Sequence, residues 1–286
     1  MQGVYVSWIS KNSFRMVISI TMIFCLPLIA YAEETKYSLG VGFEFASGTY
    51  GTGVTTNAIY VPVTAAIYPT DRLDVALEIP YIYQSTSSVV AGQYMGMQQN
   101  QSAGGQTGMA AMGSSGMGGM GSSGMGESGI GDIRLKAGYI LYSEEEYVPA
   151  IRPNFHVKFP TADKNRFLGT GAFDEGFAVE LTKWFGKWFA DGEVGYTIQG
   201  KSSVLSVKNY LNYYAGGGYK LFDNLRVMAL VKGSSPTVEG ASGQLEARLK
   251  IRYQLTSHTG LDGYLAKGIA TASPDYGSGL AISYEF

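Results

Sequence analysis

The chain has 286 residues, of which 45% are hydrophobic, 13% aromatic and only 15% charged, with a formal net charge of −2. So many aromatics beside so little charge exclude a disordered chain, and the lack of any basic block argues against a nucleic-acid partner. Only one long apolar run exists, at the N-terminus, which excludes a bundle of membrane helices.

Residues 1–32 read as a secretory signal peptide. Lys11 and Arg15 form its positive start, Met16 to Ala30 its apolar stretch, and Ala30-Tyr31-Ala32 an A-x-A cleavage site. The stretch is too short to span a bilayer comfortably, so removal is favoured over anchoring. The single cysteine, Cys25, lies inside it, and Ile23 and Phe24 before it are not the small residues expected ahead of a lipid-modified cysteine. The mature chain, 33–286, is therefore expected to lack disulfides although it enters an oxidising compartment.

Beyond residue 33 apolar and polar residues alternate with period two. The expected strands are 36–46, 55–68, 72–84, 130–142, 148–160, 173–185, 188–200, 208–221, 225–233, 242–255, 259–271 and 277–286. The clearest is the tenth. Leu245, Ala247, Leu249, Ile251, Tyr253 and Leu255 fall on one face, while Glu246, Arg248, Lys250, Arg252 and Gln254 fall on the other. As a helix the same stretch would scatter charge all round. Most of these strands have ten or more residues, enough to cross a bilayer at a tilt.

Short connectors alternate with longer ones around the chain. Outer-membrane barrels do this, with tight periplasmic turns and larger extracellular loops. The fold expected is an all-β, transmembrane, antiparallel up-and-down barrel of twelve strands. In lipid, an open sheet edge would leave a row of unsatisfied backbone groups at several kcal/mol each, and closure removes that edge. A soluble sandwich or lipocalin-like barrel would show the same alternation with the faces reversed. The membrane version is preferred on strand length and on aromatics grouped at the periplasmic strand ends: Tyr37, Tyr68, Tyr142, Trp184, Phe185, Trp188, Phe189, Phe222, Tyr253 and Tyr284. The terminus Ala281-Ile282-Ser283-Tyr284-Glu285-Phe286 also suits the signal read by the barrel assembly machinery. The location expected is the outer membrane of a Gram-negative bacterium, with outer-membrane lipid as surroundings and a small molecule as permeant.

With the greasy face toward lipid, the charged face lines the lumen. The expected lumen-lining residues are Glu44, Asp74, Glu78, Asp132, Arg134, Lys136, Arg152, His156, Lys158, Asp174, Glu180, Glu193, Arg226, Glu246, Arg248, Lys250 and Arg252, with Lys232 and Asp262 on the same register. A lipid-facing charge at mid-membrane would cost about 2–4 kcal/mol, which enforces the alternation. Nine acids face nine bases, so a strongly charge-selective pore is not expected. These groups act either as a polar constriction or as cross-strand pairs that fill the interior.

Residues 85–129 form the longest connector, with thirteen glycines, seven methionines and one charge, Glu127. Its composition predicts a flexible coil whose reach of about 35–40 Å could fold back into the lumen. Thioethers suit soft ions such as Cu(I), so Met112, Met117, Met120 and Met125 are candidate soft-metal ligands. The plain alternative is a low-complexity loop, and no cofactor is expected.

Three motifs carry a family resemblance. They are Tyr68-Pro69-Thr70-Asp71-Arg72-Leu73 running on to Glu78-Ile79-Pro80-Tyr81, Ser128-Gly129-Ile130-Gly131-Asp132-Ile133-Arg134-Leu135, and Phe159-Pro160-Thr161. The chain resembles the outer-membrane family labelled "putative MetA-pathway of phenol degradation", departing from it at Ala162-Asp163 and in the long loop. The resemblance implies a barrel that admits small hydrophobic or aromatic compounds, and no enzymatic activity. The residues agree on the last point: the mature chain has only His156 and His258, with no glycine-rich phosphate loop and no H-E-x-x-H.

Overall fold

A computed structural model of the protein describes residues 35–86 and 126–286. The expected signal peptide and the four candidate methionines lie outside the described residues. The strands are β1 (Lys36–Gly48), β2 (Thr56–Thr70), β3 (Leu73–Gln84), β4 (Glu127–Ile130), β5 (Ile133–Tyr139), β6 (Ala150–Phe159), β7 (Asp174–Phe185), β8 (Trp188–Gln199), β9 (Tyr210–Phe222), β10 (Leu225–Ser234), β11 (Gln244–Gln254), β12 (Thr259–Gly268) and β13 (Tyr276–Glu285).

Each strand pairs antiparallel with its neighbour, and β1 pairs with β13 from Ser38↔Glu285 to Ser47↔Tyr276, which closes the sheet. Both β4 and β5 pair with β3, against Tyr81–Gln84 and Leu73–Glu78 respectively, so they share one position in a twelve-position barrel. Closure satisfies the ladder all the way round, as lipid demands. The turn between β7 and β8 shows how the tight end is made. It has two residues, and Gly186 takes φ +66, which its lack of a Cβ permits.

The outer face is apolar. On β1 Leu39, Val41 and Phe43 are exposed while Glu44, of opposite parity, is fully buried, and on β13 Leu280, Ile282 and Tyr284 are exposed. In water this much bare hydrocarbon would drive association; facing lipid it needs no cover.

Two expectations need correction. The strand expected at 130–142 is broken at Gly131-Asp132, and its regular pairing ends at Tyr139. The Asp132 carboxylate is used to hold the 161–172 loop, accepting from the Ala162 N–H at 3.0 Å, and a Cβ at Gly131 would collide with Ile82. Second, Tyr68, Trp184 and Phe189 are expected in the outer aromatic girdle but face inward. Tyr68 and Phe189 are buried, and Trp184 packs beside the buried cluster of Phe189, Tyr214, Met228 and Leu230. The period of two is the reason: Trp184 and Phe185 are neighbours on one strand and cannot share a face. Tyr37, Tyr142, Phe185, Trp188, Phe222 and Tyr284 stay exposed as a girdle should.

Candidate functional site

The candidate site is the inner wall of the barrel, where two apolar clusters are interleaved with charge. Toward the tight turns lies an apolar layer in which the Trp184 and Phe189 rings stand 4.7 Å apart, packed with Tyr214, Met228 and Leu230. Toward the long loops lies a second, made by Tyr50, Tyr60, Ile82, Ala162, Leu168 and Ala272. Its loop residues are drawn into the mouth: Tyr50 is fully buried, which pushes its phenol pKa up, and Thr170 is buried with its hydroxyl bonded to Lys158 Nζ at 2.6 Å. Ser202 Oγ donates to the Thr170 carbonyl at 2.6 Å, tying two loops together.

Interleaved with these clusters, a belt of charge runs the height of the wall, from Asp74 and Arg226 near the tight turns to Lys158 and Asp174 near the long loops, in two nets. The first occupies β3 to β8. Glu78 takes Lys136 Nζ at 2.7 Å, Arg134 Nη1 at 3.3 Å and the Tyr60 hydroxyl at 2.6 Å. Arg152 holds Asp74 at 2.6 Å and Glu180 at 3.0 Å. Lys158 bridges Asp174 at 2.6 Å and Asp132 at 3.2 Å. The second net occupies β10 to β12. Glu246 takes Arg248 Nε at 2.6 Å and Lys232 at 3.7 Å, and Arg252 reaches Asp262 at 3.9 Å. Arg226 lies over the Trp184 ring at 5.2 Å. On β1, Glu44 accepts from the Tyr264 hydroxyl at 2.7 Å, and Arg248 sits over the same Tyr264 ring.

Glycines decide which side chains meet. Asp74 and Arg152 stand on strands separated by β5, and the residue between them is Gly138. A Cβ there would overlap the Arg152 guanidinium, so only glycine lets the arginine lie across β5 to Asp74. His156 lies over Gly176 in the same way, and Tyr264 over Gly279 on its way to Glu44. His156 and His258 are not brought together: His258 sits in the turn before β12, its Nδ1 3.0 Å from the Glu285 carbonyl oxygen and its ring against Tyr284.

Sequence reading misses Asp191. It shares a strand face with Glu193, is buried, and takes hydrogen bonds from the Thr182 hydroxyl at 3.0 Å and the Tyr214 hydroxyl at 3.2 Å. Its parity on the strand expected at 188–200 is a sufficient signal. Asn154, which alternation puts on the polar face of the strand expected at 148–160, stays outside the charged lumen-lining set because it is neutral; its Nδ2 donates to Glu193 Oε2 at 3.0 Å. With Asp191 counted, the β3–β8 wall holds seven acids against the bases Arg134, Lys136, Arg152 and Lys158. The β10–β12 wall holds Glu246 and Asp262 against Arg226, Lys232, Arg248, Lys250 and Arg252. With Glu44 of β1 the acids number ten against nine bases, nearly balanced in sign but segregated in space. Among the described residues no group of three or more His, Cys, Asp or Glu is arranged to hold a metal ion.

Comparison with known proteins places this wall in context. The family model described as "Putative MetA-pathway of phenol degradation" matches residues 56–286. No curated relative matches the chain. Among solved structures the barrel is similar to the COG4313 outer membrane channel from Pseudomonas putida F1, with TM-score 0.59, 15% identity, and coverage of 88% of this chain and 95% of that one. It is also similar to the NanC porin, with TM-score 0.50, 9% identity, and coverage of 86% and 98%. At these identities the likeness concerns the fold, an outer-membrane barrel.

Proposed function

Given that the chain belongs to the family described as "Putative MetA-pathway of phenol degradation", we propose that it is an outer-membrane channel for passive uptake of small molecules with hydrophobic or aromatic bodies. The observation that carries this reading is the mixed character of the inner wall. Aromatic and aliphatic side chains gather in two inward clusters, one nearer each end, and a hydrogen-bonded belt of charge is interleaved with them. A permeant with an apolar body meets both clusters as it passes the belt lined by Glu78, Arg134, Lys136, Arg152 and Lys158 on one wall and by Glu246, Arg248 and Lys250 on the other.

The belt side chains are almost all buried, so the bore at that level is narrow and the unit conductance is expected to be small. Reconstitution into planar bilayers and liposomes tests the reading. Small discrete conductance steps, with swelling in small solutes that exceeds protein-free liposomes, are expected. Folded barrels that admit neither ions nor solutes would sink it and leave a non-transporting structural or binding barrel.

A further inference from the structure

The two walls of the belt carry complementary gaps. On β8 Glu193 is buried, with Oε2 held by Asn154 and, among the described residues, Oε1 accepting no hydrogen bond. The Asn154 Oδ1 beside it, in a side chain only 5% exposed, also accepts none. Glu193 faces Glu180 directly across the β7–β8 ladder, an arrangement that destabilises like charges unless something is placed between or beside them. Arg152 relieves Glu180 but is shared with Asp74. Among the described residues, neither Asp191 nor Glu193 has a cationic side chain within ion-pair distance. The 85–129 segment cannot supply one, since it contains no Lys, Arg or His.

The opposite gap lies on β11. Lys250 is buried at 4% exposure, and among the described residues no carboxylate lies within ion-pair distance of its Nζ. The groups lie at one level of the barrel. Glu180 and Glu193 are each the sixth residue from the β7–β8 turn, and Lys250 is the fifth from the end of β11. Three strand spacings separate β8 from β11, about 14 Å along the sheet. One bank is thus short of donors and the other of acceptors, in an interior where an unmet charge is costly.

We propose that the belt is a two-sided station for small zwitterions. A cationic group docks on Glu193 and Asn154, with the charge of Asp191 beside them, an anionic group docks on Lys250, and an apolar body rests against the Phe189, Tyr214, Met228 and Leu230 cluster. This deepens the channel reading by naming the class of permeant and rests on it for transport, though binding can be measured without transport. A molecule with one charge satisfies one bank and leaves the other as it was.

Isothermal titration of the detergent-solubilised barrel tests this with three probes of similar shape: phenylalanine, phenethylammonium and 3-phenylpropanoate. Phenylalanine is expected to bind about tenfold or more tightly than either single-charge analogue, the scale of one hydrogen bond to a charged group. The D191N/E193Q variant should lower phenylalanine to the level of 3-phenylpropanoate, and Lys250→Met should lower it to that of phenethylammonium. Glu193→Asp, which keeps the charge, should retain most of the preference and guards against misfolding. Equal affinities for the three probes, or a preference that survives both variants, overturns the inference while leaving the channel reading intact. Zwitterion binding retained by a barrel that passes neither ions nor solutes would do the opposite, supporting the station and removing the channel.

Discussion

The two charged walls of the lumen are built by the same alternation, yet they are stitched differently. On β3–β8 three hubs, Glu78, Arg152 and Lys158, each hold two charged partners at 2.6 to 3.3 Å. On β10–β12 one tight contact, Glu246 with Arg248, is followed by looser ones at 3.7 and 3.9 Å, and Lys250 stands apart. Part of the difference is a missing side chain. Gly138 lets Arg152 cross a strand and serve two acids, whereas the β11 bases have inward neighbours of their own sign and, among the described residues, share Glu246 and Asp262 within ion-pair distance. The comparison teaches that inward glycines set how far a charge can reach in a barrel, and so which pairs are made.

The sharpest way to break the contrast is Gly138→Val. The new side chain should expel the Arg152 guanidinium and leave Asp74 and Glu180 buried and unpaired, at a cost of about 3–5 kcal/mol. Urea unfolding in detergent, followed by tryptophan fluorescence, would read it; an unchanged midpoint would show that Arg152 has another route. Lys250→Met sharpens the other side. With no carboxylate among the described residues in ion-pair distance to orphan, stability should stay within about 1 kcal/mol of the parent or rise, as when buried charge gives way to hydrocarbon. A large loss would reveal a partner for Lys250 and undercut the two-sided station. Smallest of all is Asp223→Asn in the exposed β9–β10 turn. The hydrogen bond and charge of Lys220 hold the Asp223 carboxyl below its usual range. A carboxyl so depressed stabilises the fold above the ordinary carboxylate range and loses that contribution as pH falls. At full exposure the difference should vanish in salt, and unfolding midpoints at pH 3 and pH 7 should match between variant and parent.

Much of the barrel is legible in the sequence because lipid imposes a rule that must be obeyed at every second position. Leu249 and Ile251 outward with Lys250 inward follows from the cost of placing a charge in hydrocarbon, and it needs no knowledge of neighbours. The same rule, applied strictly, turns Trp184 and Phe189 inward; their nearness to the turn hides their parity. Asp191 obeys that parity as well.

Other features depend on which strands lie side by side. That Arg152 reaches over Gly138 to Asp74, that Tyr264 passes Gly279 to Glu44, and that the acids gather on β7–β8 while bases crowd β10–β11 all require the register between strands. Alternation along one strand says nothing of it. The break at Gly131-Asp132 is of this kind too, since it aims one carboxylate at a loop thirty residues away. Local chemistry decided which way each side chain points; only closure of the sheet decided whom it meets.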